Sequence, residues 1–139
     1  MTLPIKQSWW DMIRSGEKKE EYRDITPYYA KRFATALGMY NRSLDPKRME
    51  ETDARIPIHN VVLRAGYRLD SPTMMVGGML RVGHGRPEWG ADPGAKYFII
   101  GIDYIEVLCT DDWEREGRMK DKNPAKDLDI EPLPTKFGW

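Results

Sequence analysis

Hydrophobic residues in the first part of the chain recur at the spacing of α-helices. Over residues 8–15, Trp9, Met12 and Ile13 occupy positions i, i+3 and i+4, which lie on one helix face. This segment is therefore predicted to be a helix with that face towards the core. Trp10 lies off this face, so we expect it to be available to a surface pocket.

A second helix is predicted to begin at Thr26-Pro27, because threonine caps helices and proline is tolerated in the first helical turn. Four apolar residues then recur on one face: Ala30, Phe33, Ala34 and Leu37. Residues 39–57 are polar and irregular. We expect them to form a surface excursion, in which Asp45-Pro46 can start one short helix.

The pattern changes to that of strands in the second half of the chain. Three segments have the composition of strands: IHNVVLRAGY (58–67), PTMMVGGMLRVGHG (72–85) and KYFIIGIDYIEVL (96–108). Gly77-Gly78 indicate a bulge in the second of them. Strands clustered late in the chain favour an α+β protein with an antiparallel sheet or small barrel over a parallel sheet.

Length and composition are those of one globular domain. The chain has 139 residues, 40% of them hydrophobic and 32% charged, and no apolar run approaches the roughly 20 residues that a membrane helix needs. Cys109 is the single cysteine, which excludes an internal disulfide and favours a reducing compartment. We therefore expect a cytoplasmic protein without a membrane partner. No cysteine–histidine cluster indicates a metal, and no cofactor is expected.

The net charge is zero, which argues against binding nucleic acid by bulk attraction alone. The charges are distributed unevenly, however. Residues 1–68 hold 13 Lys and Arg against 9 Asp and Glu, and residues 69–139 hold the reverse. This asymmetry predicts a basic face built from the first half of the chain, with scattered solvated charge as the alternative.

The stretch GEKKEEYR, Gly16 to Arg23, is the strongest candidate for a functional site. Gly16 permits a tight turn after the first helix, so that Lys18 leaves the turn beside a strand over 19–24. In that strand Glu21 and Arg23 share one face. The alternative interpretation is a solvated turn that leads into an edge strand.

This stretch matches the pattern G-x-K-x-x-E-x-R, with Gly16, Lys18, Glu21 and Arg23 in place, and so resembles the ASCH domains, relatives of the PUA fold. A preceding PIK strand and tryptophan-bearing helix, and the later blocks VVLRAGY and PEWGADPGAKYFIIGI, also resemble small bacterial and phage members. The resemblance covers roughly residues 3–108.

The resemblance implies a small PUA-like β-barrel of five or six mainly antiparallel strands with flanking helices and a cleft beside the motif. The domain would span residues 1–108, and 109–139 would form a charged C-terminal extension packed on it. Relatives are associated with RNA or modified nucleosides. Some look like ribonucleases, and others remove an acyl group from N4-acetylcytidine. RNA or a modified nucleoside or nucleotide is thus the implied partner. The oligomeric state stays open, with a monomer or weak dimer expected.

Lys18 and Glu21 are the candidate catalytic residues. Lys18 can act as a general base if burial lowers its pKa, or, if it stays charged, can bind an anion. Glu21 can orient Lys18 or accept a hydrogen bond from a nucleobase amine. The candidate substrate-binding residues are Arg23, Lys6, Trp10, Arg64, Tyr67 and Trp89. Acetylcytidine amidohydrolases of this superfamily carry a threonine nucleophile where Glu21 stands, so hydrolysis by that mechanism is not supported.

Three functions follow from these residues. The first is a binding module for RNA or a nucleotide, with Lys18, Glu21 and Arg23 lining the cleft. The second is a hydrolase that acts on RNA or a modified nucleoside. The third is an interaction domain in which Glu21 and Arg23 form a structural ion pair.

Overall fold

The structure is a computed structural model that describes residues 1–109 of the chain. It contains five β-strands, three α-helices and one short 3-10 turn in this part. In chain order the elements are β1 (Thr2–Ile5), α1 (Gln7–Ser15), β2 (Glu20–Asp24), α2 (Pro27–Ala36), α3 (Pro46–Glu51), β3 (Ile56–Ala65), β4 (Thr73–His84), the 3-10 turn (Pro87–Trp89) and β5 (Lys96–Cys109). The expected C-terminal extension lies outside the described residues, apart from Cys109, and stays a prediction.

The five strands form one mixed sheet in the order β1-β3-β4-β5-β2. β1 pairs with β3 in parallel, and the other three pairings are antiparallel. The predicted α+β class and the mainly antiparallel pairing are confirmed. The described sheet is open, however, because β1 and β2 are its two edges and no backbone ladder joins them into a barrel.

The predicted glycine bulge is present in β4. The register between β4 and β5 shifts between Gly77 and Gly78, so that Gly77 faces Tyr104 and Gly78 faces Ile102. A Cβ atom on Gly78 would lie 1.8 Å from the carbonyl oxygen of Gly101. Glycine is required at this position because the backbones of β4 and β5 approach each other there.

Thr26 and Asp45 cap α2 and α3 as the sequence predicts, each by a side-chain oxygen that accepts from a backbone N–H. Most side chains in residues 39–57 are exposed, but two contribute to the core. Leu44 and Met49 are 8% and 6% exposed and belong to the main core. An isolated helix of six residues is not stable in water, so α3 depends on the packing of these side chains in the core.

The prediction for Trp10 is wrong. Its side chain is 1% exposed, packs in the main core with Ile13, and donates an indole N–H to the carbonyl oxygen of Leu63 over 3.1 Å. Trp9 is the half-buried neighbour that remains at the surface. The buried face of α1 is thus centred on Trp10 and Ile13, rather than on Trp9, Met12 and Ile13.

Candidate functional site

The turn between α1 and β2 places the first residue of the motif. Gly16 adopts a left-handed conformation, with φ of 87°, and donates its backbone N–H to Ile13. The N–H of Lys18 then bonds to the carbonyl of Met12. These two bonds reverse the chain and direct Lys18 inward, as the glycine pattern predicts.

The alternation of β2 separates two polar clusters. Glu20 and Tyr22 lie on one face, where Glu20 accepts a hydrogen bond of 2.7 Å from the Tyr22 hydroxyl and pairs with Arg81 at 3.0 Å. Glu21 and Arg23 form the other cluster, with an Nη2–Oε2 distance of 2.6 Å. The predicted carboxylate–guanidinium arrangement of Glu21 and Arg23 is therefore present.

Lys18 lies beneath this pair. It is 2% exposed, and its ammonium donates to the backbone oxygens of Glu20 (2.5 Å) and Trp89 (2.9 Å) and pairs with Glu21 Oε1 at 3.4 Å. Burial lowers the pKa of Lys18 below its ordinary value, against the opposing effect of the Glu21 carboxylate. The charged ammonium nevertheless has two carbonyl acceptors and the Glu21 carboxylate as its counter-ion.

Arg23 joins three elements. Besides Glu21, its Nη2 donates to the Pro4 carbonyl of β1 at 3.0 Å, and its Nη1 donates to the Tyr29 hydroxyl of α2 at 3.4 Å. Burial alone would lower the pKa of Arg23, but the Glu21 carboxylate and Tyr29 outweigh it and raise that pKa. The buried Nε of Arg23 has no partner in the described part of the chain.

A cleft of about 480 Å³ opens between the two edge strands of the sheet. Its floor contains Glu21 and Arg23, and its sides come from β1, the start of α1 and the loop after β3. The lining residues are Pro4, Ile5, Lys6, Gln7, Trp9, Glu21, Arg23, Ala65, Gly66 and Tyr67. Lys6, Glu21, Arg23 and Tyr67, four of the predicted site residues, thus meet here.

The other four predicted residues do not line the cleft. Trp10 is in the core, and Lys18 lies under the floor in contact with Glu21. Arg64 is half-buried on β3, and its Nε has no partner among the described residues. Trp89 contributes its carbonyl to Lys18, while its ring packs 5.0 Å from the Arg86 guanidinium.

Trp9 is an aromatic residue of the cleft that the helical pattern does not place there. Its ring lies 5.4 Å from the Lys18 ammonium and borders the cleft. The adjacent tryptophans are the only signal for it in the sequence. Helical periodicity alone cannot show which of two neighbouring residues turns inward when both are large and apolar.

Among the described residues, no group of three or more His, Cys, Asp or Glu side chains converges as metal ligands would. No helix in residues 1–109 is long and apolar enough to cross a membrane. No family model, curated protein or solved structure matches this chain.

Proposed function

We propose that this protein is an ASCH-type domain that binds a nucleobase-containing ligand, RNA or a nucleotide, in the cleft between β1 and β2. The observation that carries the proposal is the floor of this cleft, where the carboxylate of Glu21 lies beside the guanidinium of Arg23. Their side chains are 8% and 13% exposed, so the cleft presents a largely desolvated charged pair, and hydrogen bonds to charged groups in such a place are strong.

The floor offers complementary hydrogen-bonding groups. Glu21 can accept from an exocyclic amine of a base, and Arg23 can donate to a base carbonyl or to a phosphate. Glu21 is 6% exposed and lies between Lys18 and Arg23, so it is held in a fixed orientation. A fixed donor–acceptor pair distinguishes a base by its edge rather than by charge alone.

The sides of the cleft suit a flat ligand. Trp9 borders it from α1, and Tyr67, 86% exposed, borders it from the loop after β3. Stacking of a base on an aromatic ring contributes ~1–3 kcal/mol. Lys6 adds a cation at the rim. The cleft volume of about 480 Å³ lies within the range of roughly 300–1,000 Å³ common for small-molecule sites.

A contact between the two sheet edges supports an ASCH-type fold. A PUA-like barrel requires these edges to meet, and Arg23 on β2 donates a hydrogen bond to Pro4 on β1, although no backbone ladder joins the two strands in residues 1–109. We propose that the motif arginine closes the sheet and binds the ligand at the same point.

A hydrolase is the second candidate, and the lowered pKa of Lys18 is the observation that favours it. Binding is preferred because Lys18 lies outside the cleft lining and its ammonium already donates to two carbonyl oxygens and pairs with Glu21. To act as a general base, the Lys18 amine would have to leave these partners. Product formation from RNA or acylated cytidine that is lost in Lys18→Met would favour the hydrolase.

Binding is tested by calorimetric titration with a panel of nucleoside monophosphates and a short RNA. Tyr67→Ala, an exposed change at the cleft, should weaken binding about fivefold or more, through loss of stacking. Tyr104→Ala, on β5 outside the cleft, is the matched control and should bind as the original protein does. The proposal is contradicted if no ligand of the panel binds, or if both variants bind equally well.

A further inference from the structure

A second groove, separate from the cleft, lies along α2. It has a volume of about 450 Å³ and shares no lining residue with the cleft. Its lining residues are Met1, Tyr28, Lys31, Arg32, Thr35, Ala36 and Tyr40. It is called the α2 groove below. Nothing in the function proposed for the cleft uses it.

Two tyrosine rings are exposed in the α2 groove. Tyr28 is 60% exposed and Tyr40 is 71% exposed. The Tyr28 ring is held by an edge contact with Tyr29, at a centroid distance of 5.0 Å, and by a hydrogen bond of 3.1 Å from Arg32 to its hydroxyl. The Arg32 guanidinium also lies 5.6 Å from the centroid of this ring. Tyr28 is therefore held in place and offers the rest of its exposed surface to a ligand, which lowers the entropic cost of stacking.

The groove is positively charged. The segment 25–44, which contains α2 and the turn after it, carries Lys31, Arg32 and Arg42 and no acidic residue. Lys31 and Arg32 line the groove directly. Exposed aromatic rings interleaved with cations favour a ligand that is both flat and negatively charged.

The α2 groove and the cleft flank the same edge strand. Arg32 donates to the carbonyl of Thr2, and Arg23 donates to the carbonyl of Pro4. These β1 carbonyls are two residues apart, which corresponds to about 7 Å along a strand. Tyr29 links the two places, because it contacts both Arg23 and Tyr28.

We propose that the α2 groove is a base-stacking site for a single-stranded nucleic acid that also places a base in the cleft. This inference rests on the function proposed for the cleft and narrows its ligand from a free nucleotide to a strand. Tyr40 and Tyr28 stack on a base, and Lys31 and Arg32 neutralise the phosphates that pass β1. An acidic peptide would use the two cations but leave the tyrosine faces unused, and a flat anionic membrane would not enter a groove.

The test is fluorescence anisotropy with labelled octanucleotides of mixed sequence, as RNA and as DNA, competed by nucleoside monophosphates. The original protein should bind an octamer more tightly than any monophosphate. Tyr40→Ala should weaken octamer binding at least fivefold and leave monophosphate binding unchanged. Tyr40→Phe keeps the ring and should bind the octamer as tightly as the original protein does. Tyr104→Ala is the control for loss of an exposed tyrosine elsewhere.

The outcomes separate the groove from the cleft. Loss of octamer binding in Tyr67→Ala but not in Tyr40→Ala overturns the inference and leaves the function of the cleft intact. Loss in Tyr40→Ala but not in Tyr67→Ala supports the groove as a nucleic-acid site but overturns the inference that the same strand places a base in the cleft. Unchanged monophosphate binding in Tyr67→Ala overturns the proposed function of the cleft itself. Equal affinity for octamer and monophosphate overturns the inference.

The inference is also overturned if neither octamer binds while polyglutamate or phosphatidylserine vesicles bind in a way that depends on Tyr40. The RNA and DNA arms identify which strand is preferred.

Discussion

Arg23 on β2 donates a hydrogen bond of 3.0 Å to the carbonyl oxygen of Pro4 on β1, and so connects the two edges of the sheet. The same guanidinium lies 2.6 Å from Glu21 at the floor of the cleft. One side chain therefore connects the two sheet edges and also lines the cleft between them. Separating these two contributions requires variants that affect stability and binding differently.

Removal of the Glu21 charge should destabilise the protein strongly. Glu21→Gln leaves the buried Lys18 and Arg23 without their shared counter-ion, which costs about 3–5 kcal/mol when a buried pair loses one partner. Glu20→Gln is the matched control, because its partner Arg81 is more exposed, and should cost about 1 kcal/mol or less. Urea denaturation of both variants measures the difference, and equal losses would show that the Glu21 cluster is not specially stabilising.

Glu21 and Arg23 should be energetically coupled. If the pair holds the sheet edges together, the double variant Glu21→Ala/Arg23→Ala should lose less than the sum of the single losses, with a coupling free energy of about 0.5–3 kcal/mol. The measurement is the free energy of unfolding of the four proteins in a double-mutant cycle. Strict additivity would argue against a structural role for the pair.

Substitution of the two adjacent tryptophans should affect different properties, namely stability for Trp10 and ligand affinity for Trp9. Trp10→Phe removes the donor to the buried Leu63 carbonyl and leaves a void in the core, so it should cost about 2 kcal/mol or more. Trp9→Phe, at the cleft, should cost less than about 1 kcal/mol but should reduce affinity for the nucleotide panel. Denaturation and calorimetric titration on the same samples measure both effects, and a reversed order would contradict the assignment of Trp10 to the core.

Stability should depend on pH through Lys18. Because burial lowers the pKa of Lys18 in the folded protein, the unfolded chain binds the proton more tightly between that pKa and about 10.5. The free energy of unfolding should therefore rise with pH in this window, by at most about 1.4 kcal/mol per pH unit. Below the lowered pKa, Lys18 is charged in both states and this dependence disappears.

Lys18→Met isolates this contribution because the variant retains Tyr22. Burial raises the pKa of Tyr22, so deprotonation of Tyr22 in the unfolded chain lowers the free energy of unfolding as the pH rises above 10. The difference in unfolding free energy between the original protein and the variant should change with pH up to 10. A constant difference between pH 6 and 10 would show that Lys18 titrates alike in the folded and unfolded chain.

The sequence by itself determined the local features of the site. Gly16 at the end of α1, the shared face of Glu21 and Arg23 on β2, the caps at Thr26 and Asp45, and the bulge at Gly77-Gly78 were all predicted. Apart from the bulge, which also needs the close approach of β5, each of these depends on residues within a few positions of one another. Turn chemistry and strand alternation operate over that range, so they can be read without knowing what packs nearby.

Only the tertiary structure decided which side chains meet. Trp10 and Met49 are buried, and Lys18 lies under the cleft, because elements distant in sequence pack over them. Trp9, rather than Trp10, borders the cleft because the indole N–H of Trp10 bonds to Leu63, 53 residues later. The physical reason is that burial and long-range hydrogen bonds belong to pairs of elements, and periodicity within one element does not specify its partner.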